Sequence, residues 1–242
     1  TSMQGTKVTY SPEELGAIRQ AYGDMILCIK SKFSPEDEAQ MFRSFEIAVD
    51  AYKDQRRKSG EPYIFHPIEV ARICAAEIGL GPTAIICALL HDVVEDTPIT
   101  LKELDKEFGT KVMMIVDGLT KLDGLHNDAA SQQAENFKKV LINLADDVRV
   151  VLIKMADRLH NMRTLGAMPR HKQLKIAAET QFIYTPLAHR LGLYKIKTEY
   201  QDLCLKITNR EEYSQIAKKL QETKRARNAF IDAFILPLDK AL

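Results

Sequence analysis

The sequence predicts an all-α fold, and three observations carry that expectation. Apolar residues recur at three- and four-residue intervals, as in Met41, Phe42, Phe45, Val49 and Tyr52, the repeat that gives a helix one buried face. Helix-start signals recur as well: Ser11-Pro12 and Ser34-Pro35 each set an N-cap serine before proline at the first helical position, where the missing N–H costs nothing. Strand-like alternation survives nowhere for more than a few residues.

The bulk properties narrow the class. At 242 residues, with 45% hydrophobic and 28% charged residues, the chain suits one large soluble domain, or one domain with an appendage. A formal net charge of +1 gives no reason to expect nucleic-acid or membrane partners, so an anionic ligand must be attracted by local charge. No apolar run approaches the roughly 18 residues of a membrane span. Cys28, Cys74, Cys87 and Cys204 form no C-x-x-C pair. Three of them sit in apolar helical surroundings, read as small buried hydrophobes, and a reducing cytoplasm fits. Residues 1–9 read as a flexible leader foreign to the fold.

Taken in order, Ser11 opens a helix to about Lys32, and Ser34 opens a second through Tyr52. Arg56-Arg57-Lys58 then precede Gly60 and Pro62, which break the helix; these cations are either solvated surface or the meeting point for an anion. His66 precedes Pro67-Ile68-Glu69, which restarts a helix over 68–78. It therefore stands at a helix entrance, where a side chain can be aimed inward. Gly79 and Gly81-Pro82 end that helix, and Thr83 begins the next.

This next helix is the informative one. Ala84 to Leu90 carries no polar side chain, yet His91-Asp92-Val93-Val94-Glu95-Asp96-Thr97 follows directly. The expectation is one continuous helix to Asp96, ended by Thr97-Pro98, with His91 and Glu95, and Asp92 and Asp96, stacked one turn apart. A buried helix ending in three carboxylates and an imidazole is costly unless a cation sits among them. A metal ion is the economical explanation.

Further on, Thr100 and Glu103 make a capping box for a helix to Gly109, and Lys111–Thr120 is another helical stretch. Asp123–Ala134, with His126, reads as a mobile polar loop, and Glu135–Leu144 as a helix. Over Val148–Leu165 a long helix is expected, with Asp157, Asn161 and Thr164 at i, i+4 and i+7 as a polar line on an apolar rod. A helix over 171–191 should kink at Pro186 and end at Gly192. Helices over 194–207 and 211–236 follow, the last rich in Lys and Arg.

His66, the pair His91-Asp92, and Asp157 are thus four candidate metal ligands on three separate helical elements. Two imidazoles and two carboxylates suit manganese, iron or zinc in a hydrolase, and the lack of thiolates argues against a structural zinc site. Glu95 and Asp96, one turn later, can take or orient the proton of a water.

Together the motifs around these residues resemble the hydrolase domain of bacterial RelA/SpoT-type alarmone enzymes. They are Arg57-Lys58-Ser59-Gly60-Glu61-Pro62-Tyr63 with His66-Pro67, His91-Asp92-Val93-Val94-Glu95-Asp96-Thr97, and Lys154 to Thr164; Tyr184 to Gly192 adds a further segment. The resemblance covers roughly residues 10–240. It implies an all-α HD-domain helical bundle that hydrolyses the 3′-diphosphate of (p)ppGpp to GDP or GTP and pyrophosphate, with one Mn2+ per active site. It implies His66, His91, Asp92 and Asp157 as metal ligands, and Glu95 and Asp96 as handlers of the attacking water. By the same resemblance Arg57 packs near the guanine, Lys58 and Ser59 line the nucleotide pocket, and Asn161 and Thr164 contact the nucleoside. The His-Asp and Glu-Asp pairs that degenerate members lose are both present, so activity is expected. Residues 10–208 would be the hydrolase domain, and 209–242 a helical extension toward a synthetase domain, with regulatory domains beyond it in the full-length protein. Two other readings stay open: a phosphatase on another nucleotide such as NADPH, and a regulatory module that binds alarmone without cleaving it.

Overall fold

The computed structural model describes residues 10–29, 33–123 and 147–239. Among them every regular element is helical, and one isolated bridge, Arg56 to Pro62, is the sole strand-like pairing. The helices are α1 (Pro12–Leu27), α2 (Pro35–Ala51), α3 (Phe65–Arg72), α4 (Pro82–Leu89), α5 (Val93–Asp96), α6 (Leu101–Phe108), α7 (Thr110–Asp123), α8 (Val148–Arg163), α9 (Arg170–Glu179), α10 (Thr185–Arg190), α11 (Tyr194–Thr208) and α12 (Arg210–Asp239). No described helix is long and apolar enough to cross a membrane.

The starts of these helices follow local chemistry. Ser11, Ser34 and Thr100 each accept a hydrogen bond from the backbone N–H three residues on, and the acid at that position accepts one from the cap's own backbone N–H, so two orphan donors are satisfied at each N-terminus. Such caps are each worth about 1 kcal/mol, so burial must hold the bundle together. α3, α4 and α8 form its centre, with Ile64, Ile68, Ile85 and Leu89 fully buried. Tyr200 on α11 anchors the C-terminal helices to α8 by donating to the Met155 carbonyl at 2.6 Å.

Four expectations need correction. The helix carrying the His-Asp pair does not continue to Asp96: α4 ends at Leu89, residues 90–92 form a turn, and α5 is a separate single turn. The physical reason lies in the geometry of neighbours, since side chains at i and i+1 of a helix point about 100° apart. A turn lets His91 and Asp92 face the same point. The helix expected over 68–78 begins earlier, at Phe65, so His66 lies within its first turn; it passes into a π-helix over Ile73–Ile78 and stops at Gly79, whose φ of 83° is open to glycine.

The rod expected over 171–191 is neither continuous nor simply kinked. A π-helix, Thr180–Tyr184, separates α9 from α10 just before Pro186. There the Thr185 backbone N–H closes the π-turn onto the Thr180 carbonyl, and the Thr185 hydroxyl donates to the same carbonyl at 3.0 Å. The helix expected over Val148–Leu165 ends at Arg163 and is followed by a 3-10 turn, Leu165–Ala167. The loop Asp123–Ala134 beyond its first residue, His126, the helix Glu135–Leu144 and the leader 1–9 lie outside the described residues. The cysteines are free thiols, with Cys74, Cys87 and Cys204 buried.

Candidate active site

Three elements bring the proposed ligands together: the first turn of α3 supplies His66, the turn after α4 supplies His91 and Asp92, and α8 supplies Asp157. Both histidines are sealed from solvent, His66 at 2% and His91 at 1% exposure. One ligand atom from each of His66, His91 and Asp92 lies within 4.8 Å of the other two. Asp157 falls outside that mutual set, but its Oδ1 is 3.1 Å from His66 Nε2 and 3.8 Å from His91 Nε2. Its carboxylate is held by two neighbours on its own helix, as Asn161 Nδ2 donates to Oδ1 at 2.7 Å and Lys154 Nζ to Oδ2 at 3.0 Å.

The histidine hydrogen bonds say which nitrogens face inward. His91 Nδ1 lies 2.8 Å from the Ala88 carbonyl. A carbonyl only accepts, so this nitrogen carries the proton and Nε2 presents its lone pair to the site. That Nε2 is buried without a hydrogen-bond partner among the described residues. Asp92 Oδ2 is 3.0 Å away, a charge contact without hydrogen-bond geometry. A buried acceptor nitrogen aimed at carboxylate oxygens is repelled by them unless a cation lies between. The donor set therefore fits a divalent metal, and orphaned buried groups of this kind are rare enough to require an account.

Charge points the same way. With both imidazoles neutral, the two carboxylates outweigh the Lys154 ammonium by one charge in a buried space, where an uncompensated charge costs several kcal/mol. Without a metal, the proton on His91 makes up the deficit: burial works against it, but Asp92 and then Asp157 raise its pKa to about 9. Asp92 is held below the ordinary carboxylate range, its burial outweighed by His91, and Asp157 well below, its burial outweighed by Lys154 and His66. Burial lowers His66, which keeps it neutral. Tyr63 donates to Asp92 Oδ2 at 2.5 Å and packs at a tilt against buried Tyr52, ring centroids 4.9 Å apart, holding the more accessible ligand in place.

Next to these ligands opens a cleft of about 860 Å3, within the range of small-molecule sites. Arg57, Lys58, Ser59, Asn161 and Thr164 all line it, as expected. The turn after Arg56 presents the first three: Gly60 N–H donates to the Arg57 carbonyl at 2.9 Å, with Gly60 at φ 92°. Arg57 is less free than expected, since one guanidinium nitrogen is 3.2 Å from His160 Nδ1 and the other donates to Asn161 Oδ1 at 3.0 Å. Glu95 and Asp96 are exposed on α5 and do not line this cleft; the Asp96 carbonyl accepts from Gln55 Nε2 at 2.8 Å.

Several cleft residues were not singled out from the chain. Lys154 was visible in principle, at i−3 from Asp157 on one helical face. Lys172 and Lys175 on α9 line the cleft, are exposed, and form no ion pair among the described residues; in sequence they look like any solvated helix face. Arg158 is buried between Glu179, at 3.1 Å, and the ring of Tyr184, at 4.5 Å. The π-helix makes this grip possible, because residues five apart lie about 140° apart on an α-helix but one above the other in an i→i+5 helix. The near-neutral chain thus gathers a local excess of cations where an anion would bind.

The comparisons with known proteins agree with this geometry. The HD domain family model matches residues 44–194, a stretch spanning α3, α4, α5 and α8. The chain is 42% identical over 212 residues to the bifunctional (p)ppGpp synthase/hydrolase SpoT of Escherichia coli (strain K12), covering 87% of this chain and 30% of that protein. It is 50% identical over 181 residues to the guanosine-3′,5′-bis(diphosphate) 3′-pyrophosphohydrolase of Haemophilus influenzae, covering 74% and 26%. The chain therefore spans less than a third of the length of these relatives. A solved structure of a metazoan ortholog of SpoT, described as hydrolysing ppGpp, superposes with a TM-score of 0.56 at 24% identity over 72% of this chain and 96% of that one, a likeness of fold. An HD domain implies dependence on a divalent metal, and by its family model, its helical bundle and its relatives this chain belongs to the HD domain family.

Proposed function

We propose that this chain is a metal-dependent (p)ppGpp 3′-pyrophosphohydrolase, releasing pyrophosphate and leaving GDP or GTP. The observation that carries the reading is the partnerless, inward-facing Nε2 of His91, set beside Asp92 and His66 at the end of a cation-lined cleft. Homology to enzymes named for this reaction supports the substrate.

His66, His91, Asp92 and Asp157 would hold the cation, for which we infer manganese. Bound there, it supplies Lewis acidity, offsetting phosphate charge and making water a stronger acid. The chain's own residues do the rest. Tyr63 keeps Asp92 turned inward, and Lys154 and Asn161 keep Asp157 in place. Glu95 and Asp96, exposed on the turn after the ligands, take the proton of the attacking water and pass it to solvent. Arg57, Asn161 and Thr164 position the nucleoside, while Lys58 and Ser59 meet the phosphates at the open side. The lysines of α9 extend the same field. The helix α12, exposed along residues 210–229 apart from Tyr213, we read as the path toward a synthetase domain, in keeping with the share of the relatives' length that the chain spans.

The test is product identity. Manganese-loaded protein given ppGpp should release pyrophosphate and GDP in equal amounts. Phosphate released from NADPH in preference to pyrophosphate from ppGpp would overturn the substrate, and ppGpp binding without any product would make the chain a binding module.

A further inference from the structure

Arg57 touches two side chains that each touch a proposed metal ligand, and the hydrogen bonds between them run in only one direction. A guanidinium nitrogen has donors and no acceptor. The nitrogen 3.2 Å from His160 Nδ1 therefore donates to it, and the proton of the His160 ring sits on Nε2. His160 Nδ1 is also 2.6 Å from His66 Nδ1. Since His160 Nδ1 accepts, His66 Nδ1 donates as well, the two donors sharing its single lone pair with the His66 contact the shorter. The His66 lone pair is then on Nε2, the nitrogen that faces Asp157 Oδ1 at 3.1 Å. The second branch follows the same logic. Arg57 donates to Asn161 Oδ1 at 3.0 Å, which fixes the amide orientation and turns Nδ2 onto Asp157 Oδ1 at 2.7 Å.

We propose that Arg57 and His160 are positioning residues for the metal site: Arg57 fixes the tautomer of His66 through His160 and the carboxylate of Asp157 through Asn161. One cation at the wall of the nucleotide cleft then orients ligands from two different helices. The inference rests on the reading of His66 and Asp157 as ligands, and it adds that metal affinity depends on a residue with no contact to the metal. By linkage, a nucleotide that draws Arg57 off His160 lowers metal affinity through this relay, a cost set against any direct attraction between its phosphates and the metal.

Two measurements test this without any turnover. The first is long-range 1H–15N correlation on the metal-free protein at about pH 8, above the ordinary imidazole range; it should show His66 protonated on Nδ1 and His160 on Nε2. The second is Mn2+ binding by calorimetry for wild type and for Arg57→Ala, His160→Leu and His160→Asn, each checked for native helicity. Loss of a group that orients a ligand typically costs about ten- to a hundredfold in metal affinity, and Arg57→Ala and His160→Leu should fall in that range. His160→Asn keeps an acceptor oxygen where Nδ1 stood and should stay within about threefold of wild type, which general damage to the core would not allow. His66 protonated on Nε2, or His160→Leu binding Mn2+ like wild type, would overturn the relay while leaving the metal assignment standing. A wild-type protein that takes up no metal, or a His66→Ala variant that binds it unchanged, would overturn the ligand assignment instead; the tautomers would still decide the hydrogen-bond relay.

Discussion

The two ends of the site are built on opposite principles. At the metal end, His66, His91 and Asp157 are buried and every one of them is held by a named hydrogen bond or ion pair. At the cleft end, Lys58, Ser59, Lys172 and Lys175 are exposed, and Lys172 and Lys175 hold no ion pair among the described residues. The first end is organised by folding itself, because leaving any of its groups unpaired in the interior costs more than a cap or a surface contact returns. The second sets exposed cations side by side on α9 and on the Gly60 turn, so positive charge rather than a hydrogen-bonded network defines it. Geometry is fixed where chemistry would occur, and tolerance is kept where the phosphates of the proposed nucleotide would lie.

The comparison can be broken most directly at the metal end. Asp92→Ala should retain the fold, lose stoichiometric manganese and lose at least about a thousandfold in ppGpp turnover, since Lewis-acid catalysis contributes several kcal/mol. Undiminished turnover would remove Asp92 from the ligand set. Glu95→Gln and Asp96→Asn separate two roles: each should bind manganese like wild type yet turn over about a hundredfold or more slowly, the range of general acid–base contributions. If either loses metal instead, α5 belongs to the metal site.

Acidity gives an intermediate effect. His91 has its pKa raised to about 9 in the metal-free site, burial being outweighed by Asp92 and Asp157. A raised value in the folded state means the imidazolium stabilises the fold fully below its ordinary range, and that contribution fades as pH rises through about 9. Metal-free protein should therefore lose Tm between about pH 7 and 9, while apparent manganese affinity rises by up to about tenfold per unit over the same span, because binding releases the His91 proton. A flat affinity profile would mean that His91 is already neutral there.

The smallest effect belongs to the cleft. Exposed charge contacts are worth about 0.2–1 kcal/mol each, so replacing both Lys172 and Lys175 with alanine should weaken nucleotide binding by about two- to thirtyfold at low salt. That loss should shrink as salt rises, with manganese affinity untouched. Equal loss at all ionic strengths would give these lysines a specific fit rather than a field.

The same contrast explains what could be read from the chain. The cluster of His66, His91, Asp92 and Asp157 as candidate ligands was legible because a histidine and a carboxylate after an apolar run are chemically expensive, and because Asp157 and Asn161 keep helical spacing. The break at Leu90–Asp92 was not: Ala84 to Leu90 favours a helix locally, and only the need for His91 and Asp92 to face one point ends it. Lys172 and Lys175 carry no signal that separates them from solvated charge, and the two π-helices answer to tertiary contacts that no local pattern records. The tautomer of His66 depends on Arg57, more than a hundred positions before its intermediary His160, a relation invisible to spacing.

The π-helix over Thr180–Tyr184 carries one more implication, for how this chain tolerates changes in length. Its wide turn holds one residue more than an α-helix would need, and that surplus sets Glu179 and Tyr184 on the same side of Arg158. Deleting a single residue between them would let the segment relax into a regular α-helix, a change that local propensity favours. The ring and the carboxylate would then diverge, and the buried Arg158, next to Asp157 in the chain, would lose the grip of one or both. A deletion that improves the helix would damage the site, so this stretch should accept substitutions far more readily than gaps.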